Sequence, residues 1–254
     1  MYETPFFAHL KIRKITGFTT CSGVILDRNK ILTAGHCLKH AFKNGWNVTV
    51  AFENNLLSSG LDIPMSSFVI NPTYDLNPDS EEGRRLDLGI VKLQYDIKFG
   101  ENVKYINFAD FKQDGALTQW QGCQFVGSGK VVEKDLKKCK TSQAKKVYKG
   151  ALLGSLCCNS INRFEHPQHY HAYTTENACL YSTTNSACEG DSGGPVTCRD
   201  PISQEVTLIG ITTERTHCCD AANNLLIESP FQAQMVPMDT KRKTWISLAR
   251  GIIG

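Results

Sequence analysis

The chain has 254 residues, 41% of them hydrophobic and 21% charged, with a formal net charge of +3. That apolar share excludes a largely disordered chain, and a charge this near balance gives no reason to expect a nucleic acid or a membrane surface as partner. The eleven cysteines are too many for an ordinary cytosolic enzyme; with no C-x-x-C pair, disulfides made in an oxidising compartment explain them better than zinc does, and the odd count leaves at least one thiol without an intramolecular partner.

In chain order, the first segment, Met1–Ile15, has neither a basic region leading into an apolar stretch nor a small-residue cleavage site, so a leader is expected to have been removed. Phe6–Ile12 and Ser22–Leu26 have strand-like apolar character, and Asn47–Phe52 alternates with period two. Leu88–Leu93, Gln124–Val126 and Val206–Ile211 repeat the pattern. Glu53–Gly60, Asn71–Gly83 and Thr183–Asp191 have the composition of turns. A shift in composition near Phe108–Thr118 divides the chain into halves, 1–112 and 113–254. Lys130–Lys149 holds eight lysines against Glu133 and Asp135; a solvated loop is the plainer reading and an anion-binding patch the sharper one. The longest near-continuous apolar run, Ala151–Cys158, is eight residues, against the roughly 20 of a membrane-spanning helix. Helical periodicity is scarce until Asp239–Arg250, where Asp239 caps a terminal helix with Trp245, Ile246 and Leu248 facing inward.

Three short segments carry chemistry. Leu32–Cys37 (LTAGHC) sets His36 beside Cys37, Leu86–Leu93 (LDLGIVKL) sets Asp87 before an apolar strand, and Cys188–Pro195 (CEGDSGGP) sets Ser192 in a glycine-dense turn. Three glycines around a serine cost backbone entropy, which points to conformations a side chain would forbid. A serine hydroxyl attacks poorly unless a base takes its proton, and a histidine with an ordinary pKa near 6.5 suits that role. A buried carboxylate at Asp87 would fix the imidazole tautomer. Backbone N–H groups of Gly190 and Ser192 would face the oxyanion that forms on the attacked carbonyl.

The order His36, Asp87, Ser192, in TAGHC, DLGIVKL and GDSGGP, resembles the chymotrypsin-like (trypsin-fold) serine proteases, with the likeness running over residues 4–250. Asn71–Tyr74 (NPTY) resembles the segment that precedes the family's aspartate. The resemblance implies an all-β chain of two packed antiparallel six-stranded β-barrels and a C-terminal α-helix, with His36 and Asp87 on the first barrel and Ser192 on the second. It implies a serine endopeptidase working through an acyl-enzyme, with no metal or organic cofactor. Protein or peptide substrates are the implied partners, with room for protein inhibitors, and the implied location is secreted, extracellular or periplasmic. The disulfides it implies are Cys21 with Cys37, Cys123 with Cys198, Cys179 with Cys157 or Cys158, and Cys188 with Cys218 or Cys219. Cys139 and the two remaining cysteines of those pairs are left unassigned.

Two departures qualify the likeness. Family members are made as zymogens, and cleavage frees an Ile- or Val-led N-terminus whose amine pairs with the residue here numbered Asp191. No such start fits: Ile15 lies only six residues before Cys21. Since Phe6–Ile12 resembles the family's first barrel strand, either about ten residues are missing ahead of it or another group must satisfy Asp191, because a buried unpaired carboxylate is costly. The second departure is in the substrate pocket, where the family's floor position is Ser186 and the substrate-binding strand runs Thr212-Thr213-Glu214-Arg215. Ser186 disfavours cleavage after Lys or Arg, while Arg215 stands where a glycine keeps the pocket mouth open, to meet an acidic side chain, to obstruct the pocket, or to point into solvent with Glu214. Two alternatives follow: a protease-fold binding or regulatory protein whose pocket is unformed, and a selective protease or toxin acting through exosites. Among minor signals, His166, His169 and His171 read as a surface loop rather than a metal site. Gly127-Ser128-Gly129-Lys130 lacks the spacing of a phosphate loop, and Asn47-Val48-Thr49 fits a glycosylation acceptor.

Overall fold

Ala8, Leu10 and Ile12 share one face of the first strand, and a sheet that buries such a face on its own must curl until its edges meet. The computed structural model describes residues 4–52, 62–109, 120–133, 138–140, 145–154, 157–158, 160, 178–182, 187–213 and 232–253. Strands β1 (Phe7–Arg13), β2 (Phe18–Ile25), β3 (Lys30–Thr33), β4 (Asn47–Phe52), β5 (Ile63–Ile70) and β6 (Gly89–Leu93) form a closed barrel in the order β1-β2-β3-β6-β5-β4. Closure comes from β1 against β4, where Leu10 faces Val50 and Ile12 faces Val48. Those residues pack inside with Ile25, Ile31, Val91 and Leu93. Helix α1 (Gly35–Lys43) follows β3 and buries Cys37, Leu38 and Ala41 on one side. The stretch Asn71–Gly83, expected as turns, contains α2 (Pro72–Leu76), capped by Asn71, and the start of α3 (Glu81–Arg85), capped by Ser80.

The second half is built from β7 (Gln121–Gly127), a hairpin of β8 (Val131–Glu133) and β9 (Lys138–Lys140), β10 (Lys146–Lys149), β11 (Ala151–Leu153), β12 (Ala178–Tyr181), β13 (Pro195–Arg199), β14 (Val206–Thr212) and β15 (Gln232–Pro237). Seven of these strands pair in the order β10-β7-β13-β14-β15-β12-β11. The two edge strands are one run of chain interrupted at Gly150, whose N–H donates to Cys123 O at 3.1 Å. A single bent strand therefore joins both edges of the sheet, so seven strands build what the sequence reading expected as a six-stranded barrel. Trp120, Phe125, Leu152, Leu180, Val196, Ile209 and Met235 fill its interior.

A third apolar cluster joins the halves. Val24, Leu26, Leu32 and Ile90 pack against Leu208, Ile211, Val236 and Met238, and the terminal helix α4 (Thr240–Ile252) adds Ile246 and Ala249. Asp239 caps α4 as expected, accepting from Arg242 N at 2.9 Å. The expected inward face needs one correction: Leu248 is 65% exposed, while Arg242, Ile246 and Ala249 point in and Trp245 is half-buried. The reason is angular, since 242, 246 and 249 follow the helical repeat and 248 lies almost opposite 246. Arg242 is neutralised by Asp239 and donates to Arg85 O at 3.1 Å, and Arg250 reaches Asp27 at 2.8 Å, tying the helix to the first barrel.

The lysine-rich run is not one solvated loop either. Part of it is the β8–β9 hairpin, and in β10 the Lys146 side chain is only 13% exposed. Of the expected connection Phe108–Thr118, all but Phe108 and Ala109 lies outside the described residues, as do His166, His169 and His171.

His9 is the one buried histidine of the first barrel. It is 1% exposed, stacks edge-on against Phe7 at 4.5 Å, and its Nε2 has no hydrogen-bond partner among the described residues. Burial, reinforced by the charges of Lys145 and Lys11, lowers its pKa from 6.5 to about 2. The unfolded chain therefore takes up a proton below pH 6.5 that the folded chain refuses, and stability falls as pH drops through that window. Between pH 7 and 4.5 this should remove about 2–3 kcal/mol. Urea unfolding of His9→Phe at the two pH values should show a loss smaller than wild type by about that amount; equal losses would mean that His9 protonates in the folded protein.

Candidate active site

The first turn of a helix offers N–H donors that need partners, and the residue before α1 is Ala34, which has no side chain to cap it. The missing cap comes from the segment leading into β6, the strand paired with β3. Asp87, 1% exposed and two residues ahead of β6, accepts the His36 backbone N–H on Oδ1 at 2.8 Å. Its Oδ2 lies 2.7 Å from His36 Nδ1. One carboxylate thus holds both the main chain and the ring of His36. The negative charge at a helix N-terminus is itself favourable. With Nδ1 bound, Nε2 is the ring nitrogen left to face outward.

Ser192 sits in the turn 190–194, fixed from both sides. Its carbonyl accepts from Ser22 N at 2.7 Å, across the junction between the halves. The Gly193 N–H donates to Thr212 O at 2.6 Å, and Thr212 N donates to Gly194 O at 2.8 Å. Gly193 has φ +83°, and a Cβ there would collide with Ser22 O and Thr33 Oγ1 and lie 2.9 Å from Ala34 N. The Cys21–Cys37 disulfide links the neighbour of Ser22 to the neighbour of His36, and the Cys37 sulfur lies 3.9 Å from Ser192 O. Cys21, His36 and Cys37 bring their ligand atoms within 4.8 Å of one another, but the two sulfurs are bonded to each other and offer no thiolate to a metal.

The peptides around Gly190 have fixed orientations. The Glu189 carbonyl accepts from Lys130 N at 2.8 Å. The peptide is trans, so the Gly190 N–H points the opposite way, away from Lys130. The Gly190 carbonyl accepts from Ser22 Oγ at 3.0 Å, and Ser22 Oγ in turn accepts from Ser128 N at 3.2 Å. Gly190 itself has φ +96°, and a Cβ there would come within 2.6 Å of Thr20 Oγ1.

Asp191 is fully buried. Its Oδ1 accepts from Gly129 N at 2.6 Å, its Oδ2 from Cys188 N at 2.8 Å, and Lys146 Nζ lies 4.0 Å from Oδ1. Burial pushes the carboxyl up from its usual range, opposed by the Lys146 charge and the two N–H donors. Burial likewise lowers the Lys146 ammonium, opposed by Asp191. Among the described residues, the cation beside Asp191 is thus the Lys146 side chain.

Of the expected substrate-pocket residues, Thr213 is buried just beyond β14, while Ser186 and Arg215 lie outside the described residues. Cys21–Cys37 and Cys123–Cys198 are bridged as expected, and Cys179 takes Cys158, leaving the exposed Cys157 as a free thiol. Cys188 is disulfide-bonded to a partner beyond the described residues. Sequence reasoning missed Ser22, Ser128, Thr33 and Lys146. Only Lys146 left a trace, in the alternation of Lys146-Val147-Tyr148 at the end of the lysine run.

Similarity to known proteins agrees with this geometry. The sequence model of the trypsin family matches residues 1–235. The chain is 26% identical to venom serine protease 34 of Apis mellifera over 232 residues, which are 85% of this chain and 51% of that protein. It is 26% identical to trypsin iota of Drosophila melanogaster over 208 residues, 79% of this chain and 70% of that protein. Over 185 residues it is 25% identical to Drosophila trypsin alpha, covering 71% of this chain and 64% of that protein. The chain thus spans about half the length of the venom protease.

Placing a methyl at Gly193 would force both a disfavoured φ and the collision with Ser22 and Thr33, so Gly193→Ala should lose about 2–4 kcal/mol of stability. An unchanged urea midpoint would show that the junction has slack the geometry does not reveal.

Proposed function

The chain belongs to the trypsin family, and from that premise we propose that it is a serine endopeptidase whose catalytic groups are His36, Asp87 and Ser192. The observation that carries the proposal is the double grip of Asp87 on His36, which leaves one ring nitrogen available for a serine held at the same junction by Ser22.

In this mechanism the Ser192 hydroxyl attacks the scissile carbonyl while His36 Nε2 takes its proton, giving a tetrahedral intermediate and an imidazolium. Asp87 keeps the proton on Nδ1 and stabilises the imidazolium through the 2.7 Å contact. The oxyanion is received by the N–H groups of Gly190 and Ser192. The Gly190 donor is set by the anchoring of Glu189 O to Lys130, so it need not reorganise during the reaction. Collapse of the intermediate passes the imidazolium proton to the leaving amine and leaves an acyl-serine. Water, deprotonated by His36, then releases the acid and restores the serine. No step calls for a metal or an organic cofactor.

Cleavage after residues other than Lys and Arg is part of the proposal, because Ser186 offers no carboxylate to a cationic side chain. The disulfides Cys21–Cys37, Cys123–Cys198 and Cys158–Cys179 fit a secreted protein folding in an oxidising compartment. Among the described residues no helix is long and apolar enough to cross a membrane.

Wild-type chain should react covalently with a fluorophosphonate at Ser192 and hydrolyse some members of a peptide panel varied at the residue before the cut. Ser192→Ala should abolish labelling, and Asp87→Asn should slow turnover by on the order of 10⁴-fold, the size this change has in the chymotrypsin-like arrangement. A folded wild-type chain that never labels would replace this reading with that of a protease-fold binding protein.

A further inference from the structure

We propose that the Lys146 ammonium is the built-in counter-ion of Asp191, holding the Gly190–Ser192 turn in its working shape without any free N-terminal amine. The inference rests on the reading of that turn as the oxyanion-binding loop of a serine protease.

A carboxylate inside the protein is costly unless its charge is met. Asp191 is fully buried, and two backbone N–H groups satisfy part of its hydrogen-bonding capacity without neutralising its charge. Lys146 supplies the charge from 4.0 Å, with 13% of its own side chain exposed. Space for the carboxylate exists only because β7 ends on glycine. A Cβ on Gly127 would overlap Asp191 Oδ1, and one on Gly129 would lie 2.7 Å from Asp191 Cγ. Lys146 stands directly across the ladder from Gly127, so strand register delivers the ammonium to this gap.

The same ammonium has a second grip. Lys146 Nζ donates to Lys130 O at 2.6 Å, and the N–H of Lys130 is what holds the Glu189 carbonyl. Lys146 therefore acts on both flanks of Gly190, on the carboxylate of the residue after it and on the residue that orients the peptide before it. Its position over the Tyr148 ring, at 5.5 Å, restricts where the ammonium can go. A cleaved N-terminus becomes available only after proteolysis, whereas a strand lysine is present as soon as the chain folds. It follows that the uncleaved chain is already competent. Lys146 is a positioning residue in this account, acting on the oxyanion site through Asp191 and Lys130.

The test compares wild type, Lys146→Met, Lys146→Arg and a wild-type chain carrying an uncleavable N-terminal fusion. The readouts are the rate of fluorophosphonate labelling and kcat on the best peptide of the panel, with folding followed by near-UV circular dichroism. Lys146→Met keeps an apolar stem and removes the charge, so it should label at least about 100-fold more slowly, the scale of losing one oxyanion donor. Lys146→Arg should recover most of the rate, which a purely packing role would not produce. The fused chain should label as fast as the unfused one. A folded Lys146→Met that labels at the wild-type rate overturns the inference, as does a folded fused chain that fails to label under conditions where the unfused chain labels. If Lys146→Met does not fold, the fused chain decides the question alone. Absence of labelling in every chain, wild type included, would instead remove the protease reading on which the inference rests.

Discussion

One hydrogen bond, from Ser22 N–H in β2 to the carbonyl of Ser192, joins the two halves at the point where their chemistry must meet. A serine and a histidine that lie 156 positions apart in the chain can cooperate only if the surfaces carrying them are locked in register. That lock is more than one bond. The Cys21–Cys37 bridge fixes Ser22 relative to His36, and Thr33 Oγ1 holds the Ser22 carbonyl at 2.8 Å. Below them, the shared core of Val24, Leu32, Ile90, Leu208, Ile211 and Val236 excludes water along the junction. Each such buried side chain contributes roughly 1.5–3 kcal/mol, far more than a net hydrogen bond of about 1 kcal/mol. Apolar burial therefore brings the halves together, and the directional bonds fix how they meet.

Buried charge is the other organising force, and each case is settled locally. Asp87 takes two donors from a helix start that has no cap of its own. Arg242 is neutralised by Asp239 and tied to a backbone carbonyl, so a large cation sits inside the docked face of α4. Asp191 and Lys146 share one pocket. Truncating a single partner of such a pair strands the other charge in the interior, which is why these positions constrain the fold as much as the apolar core does. His9 meets the same constraint differently, by remaining neutral.

Much of the architecture was legible in the sequence because the strands are short apolar runs bounded by turn residues. Asn47–Phe52 has the same limits in the structure as in the alternation, and Asp239 caps the terminal helix as its position suggested. Leu248 was misplaced because a cluster of apolar residues does not reveal which arc of a helix is covered. Helix α1 went unread because its buried stripe is only three side chains, Cys37, Leu38 and Ala41, and its cap, Asp87, comes from a distant part of the chain. The break at Gly150 was invisible because its cause, the approach of Tyr181 O, lies 31 residues further along the chain.

The sequence by itself determined which residues are the candidates for the reactive groups and in what order they come, since TAGHC, DLGIVKL and GDSGGP set those residue types in local contexts that a reader can see. It also determined that the chain would be cross-linked. Only the tertiary structure decided which cation lies beside Asp191, which of Cys157 and Cys158 bridges to Cys179, and how Ser22 anchors the turn that carries Ser192. The reason is common to all three. Strand register and the packing of one sheet on another bring together residues that no local pattern relates, and the choice among candidate partners is made by distance and desolvation after the chain has closed on itself.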